Sequence, residues 1–147
     1  MPAITNIEFR QFSANHHNAQ RNWLILKINT DDPNYYGLGD ASPMEDDDQV
    51  KALATNFVEK YLKGKDPLDS EVHWTNIYQD RQARGGRLAT TALSGIDIAL
   101  WDLKGRLLDM PVWKLLGGAH RKKIRVYANG WYTNPGTPKQ NAEEAKV

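Results

Sequence analysis

Apolar and polar side chains alternate with a period of two at the start of the chain. Ile7 and Phe9 fall on one face and Glu8 and Arg10 on the other, which predicts a half-buried strand over residues 4–12. The apolar run over residues 23–28 predicts a second, more buried strand. Between them, residues 13–21 are polar, show no period and exceed a tight hairpin turn, so they read as a loop of the kind that carries recognition. Asp31-Asp32-Pro33-Asn34 is a turn, and residues 35–41, weakened by Gly37 and Gly39, predict a third strand that closes an antiparallel meander.

After Pro43 the period becomes helical. Val50, Leu53, Ala54, Phe57, Val58 and Tyr61 share a face, with Asp48 as N-cap and Gly64 as terminator. Asp66-Pro67 offers an N-cap and a first-turn proline for a second helix carrying Leu68, Val72, Trp74, Ile77 and Tyr78. A basic glycine turn over 81–87 leads into the strongest periodic segment. There Leu88, Ala92, Ile96, Ala99, Leu103 and Leu107 form one stripe, and Leu93 and Leu100 widen it, as expected of a helix central to a core. A short helix over 111–116 stops at Gly117-Gly118. Residues 122–129 then set Ile124, Val126 and Ala128 against Arg125, Tyr127 and Asn129, predicting a further strand. Thr137-Pro138-Lys139-Gln140 opens a last helix with an N-cap, a first-turn proline and a capping-box glutamine. A strand, a loop and the opening of a helix are the first half of a parallel βαβ unit, which requires another strand. The end at Val147 therefore reads as a cut within a longer protein.

Composition narrows the class. The 147 residues, 40% apolar and 25% charged, suffice for one globular domain with a small appendage and exclude disorder as the default. No apolar run approaches the roughly 20 residues of a membrane span, and the first four residues lack the shape of a signal peptide. With 19 basic and 18 acidic residues there is no global field for nucleic acid or an anionic membrane. The absence of cysteine excludes disulfides, thiolate metal sites and a cysteine nucleophile, and fits a reducing compartment, with the cytoplasm as default. Charge is uneven, since the first 50 residues hold three basic and eight acidic side chains. Most of that surplus is Glu45-Asp46-Asp47-Asp48, read as charges at a helix N-terminus rather than a metal cage.

The stretch Thr91-Ala92-Leu93-Ser94-Gly95-Ile96-Asp97-Ile98-Ala99-Leu100-Trp101-Asp102-Leu103-Lys104-Gly105-Arg106, followed by Met110-Pro111-Val112-Trp113-Lys114-Leu115-Leu116-Gly117-Gly118, closely resembles the capping-domain signature of the enolase superfamily, in its mandelate racemase and muconate lactonizing enzyme branch. The meander, the helices and Gly37-Leu38-Gly39-Asp40 follow the same pattern, with Asp40 where that family usually has glutamate. Residues 125–132 resemble its first barrel strand and following loop, in the form associated with gluconate- or galactonate-type dehydratases. The resemblance implies an α+β capping domain over residues 1–120 and the beginning of a (β/α) barrel over 121–147. It further implies a Mg²⁺-dependent lyase that removes the proton alpha to a carboxylate and expels the β-hydroxyl of a sugar acid, giving a 2-keto-3-deoxy acid. Metal ligands and base would lie on later barrel strands, so no catalytic or metal residue is expected in this chain, and the chain alone is expected to be inert. A racemase, epimerase or cycloisomerase on the same scaffold, or a stand-alone α+β binding module, are the alternatives. Partners would be a small sugar acid, the rest of the barrel and further copies in a homo-oligomer, with neither nucleic acid nor membrane.

Candidate substrate contacts follow from this resemblance. In that family two cap loops close over the barrel mouth, and the matching segments are 13–21 and 42–48. Asn15 and His17 in the first can hydrogen-bond a polyol or carboxylate. His16 and His17 are adjacent, point apart on extended chain and do not form a metal pair. At the end of the proposed barrel strand stand Tyr127, Asn129 and Trp131, where barrel enzymes place their sites. Lys63-Gly64-Lys65 has the form of a base motif but sits at a helix end and reads as structural. Asp97, Trp101 and Asp102 read as architectural, with Arg84 or Arg87 as the nearest donors to the carboxylates.

Overall fold

Strands β1 (Ile4–His16), β2 (Ala19–Thr30) and β3 (Tyr36–Asp40) form one antiparallel sheet in the order β1-β2-β3 in the computed structural model. The structure describes residues 1–16, 19–43, 46–80, 86–127 and 136–144, and only the backbone of 14–16, 19–21 and 144. The central strand supplies the sheet's share of the core, because Leu24, Leu26 and Ile28 alternate inward and are fully buried. Ile7 and Phe9 lie opposite Ile28 and Leu26 and pack on the same core. The first strand thus follows its alternation.

The segment expected as a loop is instead the outer half of a long hairpin. Pairing continues through Ser13↔Asn22, Ala14↔Arg21, Asn15↔Gln20 and His16↔Ala19. Residues 13–21 carry no apolar alternation, and the described pairing is held by ladder bonds and by cross-strand pairs such as Ser13 Oγ to Asn22 Oδ1 (2.8 Å).

Helix α1 (Asp47–Phe57) runs directly into a π-helical turn (Val58–Leu62). Its N-cap is Asp46, in the left-handed region at φ 66°, two residues before the expected Asp48. Lys63 N–H to Val58 C=O (2.9 Å) is the wide bond of the π turn, and Gly64 at φ +73° ends it as expected. Helix α2 (Ser70–Gln79) begins later than Asp66-Pro67 predicts. The Asp66 carboxylate accepts from Leu68 N–H (2.9 Å), which makes this pair a turn preceding the helix. Buried His73 donates through Nε2 to Asp66 C=O (2.8 Å). Asp80, past the end of α2, accepts from Lys60 (2.8 Å) and from the Tyr61 hydroxyl, which ties α2 to the π turn. The hydrogen bond to Asp80, then that to Tyr61, raises the pKa of the Lys60 ammonium.

Helix α3 (Arg87–Leu107) lies across the sheet and buries Ala92, Leu93, Ile96, Ala99, Leu100 and Leu103 of the stripe read from the sequence together with Ala89, while Leu88 and Leu107 at its ends are only partly buried. Against β3 it packs backbone on backbone. A Cβ on Gly37 would stand 2.0 Å from Ala99 C=O, one on Gly39 1.9 Å from Gly95 C=O, and one on Gly95 2.5 Å from the Ala41 methyl. Lys104 Nζ donates to Leu68 C=O (3.1 Å) and Ser70 Oγ (3.2 Å), which ties α3 to the start of α2. A short helix α4 (Val112–Leu115) follows Pro111. Residues 122–127, expected as a barrel strand, are in no strand. Ile124, Val126 and Tyr127 are 80%, 84% and 85% exposed. Alternation prepares a strand, but a strand exists only through pairing, and no described segment pairs with this one. Helix α5 (Pro138–Glu144) carries the capping box as read, with Thr137 N–H to Gln140 Oε1 (2.8 Å) and Gln140 N–H to Thr137 Oγ1 (3.4 Å).

Candidate functional site at one end of the sheet

In an antiparallel meander the end of β1, the start of β2 and the end of β3 coincide. The hairpin arm and the start of the segment 42–48, both singled out in the sequence, therefore leave the sheet side by side. Ala41 N–H donates to Leu24 C=O (2.8 Å), and Leu24 N–H donates to Ser42 Oγ (3.0 Å). Ser42 in turn gives its N–H (2.8 Å) and its hydroxyl to Asp40. On the other side the Gln11 amide donates to Asp47, while Lys51 Nζ reaches Gln11 Oε1 (3.1 Å) and Asp48 Oδ1 (3.1 Å). These contacts join the root of the arm to the start of α1. The rim so formed offers amide, hydroxyl and carboxylate groups, which recognise hydroxyls and ions by hydrogen bonding.

The acidic run is used as expected. Asp46 is the N-cap, and Asp47 and Asp48 sit in the first turn facing Gln11 and Lys51. Among the described residues no three His, Asp or Glu side chains are placed to hold a metal ion. Lys63-Gly64-Lys65 is structural: Lys63 pairs with Glu59 (2.8 Å), Gly64 N–H donates to Ile4 C=O (2.7 Å), and Ile4 N–H donates to Lys65 C=O (3.0 Å).

Of the predicted site residues, Asn15 has its backbone in β1 near the tip of the arm, paired with Gln20. Tyr127 is described but lies in no helix or strand, away from any pairing. His17, Asn129 and Trp131 lie outside the described residues, as does Arg84. The structure thus brings together the two segments, and of these five side chains it describes only that of Tyr127. Sequence reasoning missed Gln11 and Ser42. The Asp40-Ala41-Ser42 pattern carries the signal of an Asx turn, whereas Gln11 carries none, because its partners are 36 and 40 residues away.

A second concavity lies on the flank of α3. Leu38, Asp97, Ile98, Trp101, Asp102, Arg106, Val112 and Leu116 line an open groove of about 560 Å³. Asp102 is held by Leu38 N–H (2.9 Å) and Arg106 Nε (3.1 Å); of the arginines expected as donors, Arg84 lies outside the described residues. Asp97 meets no hydrogen-bond donor among the described residues. Burial, and secondarily the nearby charge of Glu71, raises its carboxyl pKa above the ordinary value.

Comparison with known proteins adds the following. Residues 6–117 match the family described as mandelate racemase / muconate lactonizing enzyme, N-terminal domain. A D-galactonate dehydratase family member of Paenibacillus sp. (strain JDR-2) is 39% identical over 107 residues, covering 73% of this chain and 26% of that protein. Among solved structures, an enolase from Pantoea ananatis with bound D-gluconate and Mg superposes with TM-score 0.68 and 33% identity, over 82% of this chain and 28% of that one. The 3,6-anhydro-D-galactonate cycloisomerase from Zobellia galactanivorans gives TM-score 0.68 and 35% identity, over 80% and 32%. The chain spans about a quarter of the length of the curated relatives it matches.

Proposed function

Because this chain belongs to the mandelate racemase / muconate lactonizing enzyme family, matching its N-terminal domain, we propose that it is the capping part of a sugar-acid dehydratase. On this reading residues 1–120 form the cap and 121–147 open a (β/α) barrel. The whole enzyme removes the proton alpha to a carboxylate and expels the β-hydroxyl, yielding a 2-keto-3-deoxy acid. The relative from Pantoea ananatis holds Mg with D-gluconate, which supports a Mg²⁺-dependent reaction. The described residues of this chain do not fit that ion, since they form no cluster of ligands, and no chemical step is assigned to them.

The chain's own task is to bind and enclose. The arm and segment 41–48, rooted together through Gln11–Asp47 and Ser42–Leu24, form the closing rim. Asn15 and His17 on the arm, with Tyr127, Asn129 and Trp131 beyond the cap, contact the hydroxyls and carboxylate of the substrate. The protein acts in the cytoplasm as a homo-oligomer. The observation that carries this reading is the family match over residues 6–117, together with 39% identity over 107 residues to a D-galactonate dehydratase family member.

The test replaces the corresponding domain of a D-galactonate dehydratase by residues 1–120 and follows formation of 2-keto-3-deoxy acid from several aldonates with Mg²⁺. The chimera is expected to turn over a sugar acid, and Asn15→Ala within it to raise KM more than it lowers kcat. A folded chimera inert on all aldonates, or turnover by the 147-residue chain alone, would overturn the proposal.

A further inference from the structure

At the root of the arm the sheet pairs Gln11 with Leu24. The backbone of Leu24 holds the next segment, since its C=O accepts from Ala41 N–H (2.8 Å) and its N–H donates to Ser42 Oγ (3.0 Å). Gln11 reaches the other end of that segment with its side chain. Its Nε2 donates to the Asp47 carboxylate, and its Oε1 accepts from Lys51 Nζ (3.1 Å). A carboxylate only accepts and an ammonium only donates, so the two partners fix which way the amide points. Both ends of segment 42–48 are thus pinned to one rung of the sheet, the rung from which the arm departs.

The partners of Gln11 are themselves held. Asp47 stands in the first turn of α1, where the positive end of the helix favours a carboxylate. Lys51 lies one turn further along the same face and pairs with Asp48 (3.1 Å). Helix α1 packs on α3, whereas β1 packs on β2 and the π turn. The two elements rest on different supports, and a side chain bonded to both makes the placement of one depend on the other. We infer that Gln11 is a positioning residue, which holds the arm and segment 42–48 in a single relative placement. The inference rests on the reading of these two segments as the rim of a sugar-acid site. On that reading Gln11 acts through the groups that the rim presents and touches no substrate itself.

Hydrogen exchange along the 147-residue chain tests the coupling. Gln11→Ala is expected to speed exchange about three- to fivefold, the size of one exposed charged hydrogen bond, in the ladder amides over 13–16 and 19–22 and also in the first turns of α1. Asp47→Ala, a change on the helix, should speed the arm by the same factor, and the double variant no further. Exchanging donor and acceptor, as Gln11→Glu with Asp47→Asn, leaves Lys51 its oxygen and should restore parent rates in both elements. Ile7 and Ile28, at the far end of the sheet, should keep parent rates throughout. An arm that ignores Asp47→Ala, a swapped pair that restores nothing, or acceleration spread over the whole sheet would overturn the inference. In the chimera described above, Gln11→Ala should raise KM for an aldonate about three- to fivefold with kcat within twofold of the parent, and the swapped pair should bring KM back. An active chimera whose KM ignores Gln11→Ala also overturns it. A folded but inert chimera whose arm and helix exchange together strikes the dehydratase reading instead and leaves the coupling standing.

Discussion

Glycine at positions 37, 39 and 95 is a matter of collision, not of backbone freedom. A single methyl at Gly39 would overlap the Gly95 carbonyl at 1.9 Å, and both partners are backbone, so no rotamer relieves it. Gly39→Ala is expected to cost about 3 kcal/mol or more in urea unfolding. Gly64 presents the opposite case, with open space around it and a φ of +73°. Gly64→Ala should cost only about 1 kcal/mol, the strain of a side chain in the left-handed region. Asp97 permits a signed prediction about pH. Its folded pKa lies above the unfolded value of 3.8, so the folded state favours the protonated acid. The associated stability is present below pH 3.8 and is lost as pH rises through the folded pKa. Asp97→Asn should therefore be more stable than the parent at neutral pH, with the gain fading on acidification. An Asn variant less stable at pH 7 would mean that Asp97 has a cationic partner.

At the scale of elements, the contact between Asp102 and Leu38 N–H closes the free edge of β3 with a side chain from a helix. Asp102→Ala should cost about 1 kcal/mol and accelerate hydrogen exchange at the Leu38 amide. Unchanged exchange there would show that water serves as well. How much of the fold was legible depended on what each element has to bury. Helix α3 was read closely because its stripe faces a core, and the box at Thr137 and Gln140 was read because capping is local chemistry. The arm was missed because residues 13–21 carry no apolar alternation, whereas ladder pairing uses the backbone alone. Helix α2 was begun too early because Asp66-Pro67 serves a turn as readily as a helix start. Residues 122–127 had the alternation of a strand but no pairing segment among the described residues. Of the candidate site, the two segments were legible through resemblance. Their anchors, Gln11 on Asp47 and Ser42 on Leu24, arise only when distant parts of the chain meet.

At the scale of the whole molecule, the cap divides into a packed body and a rim that leaves it at one end. The body is shared with proteins of differing chemistry, since a cycloisomerase and a D-gluconate-binding enolase superpose on it equally well, both at TM-score 0.68. Scaffold and reaction are thus separable among these proteins, and the fold of this chain does not by itself choose a reaction. Gly95 and Ala99 sit inside the run of residues that carries the resemblance, and their backbone atoms line the seam between β3 and α3, where a Cβ on Gly37 or Gly39 would collide. Substitution scanning should accordingly find the seam nearly intolerant while its apolar neighbours interchange freely. A joint in which helix and strand meet backbone to backbone leaves no slack, so a chain that keeps this packing must keep its smallest residues there.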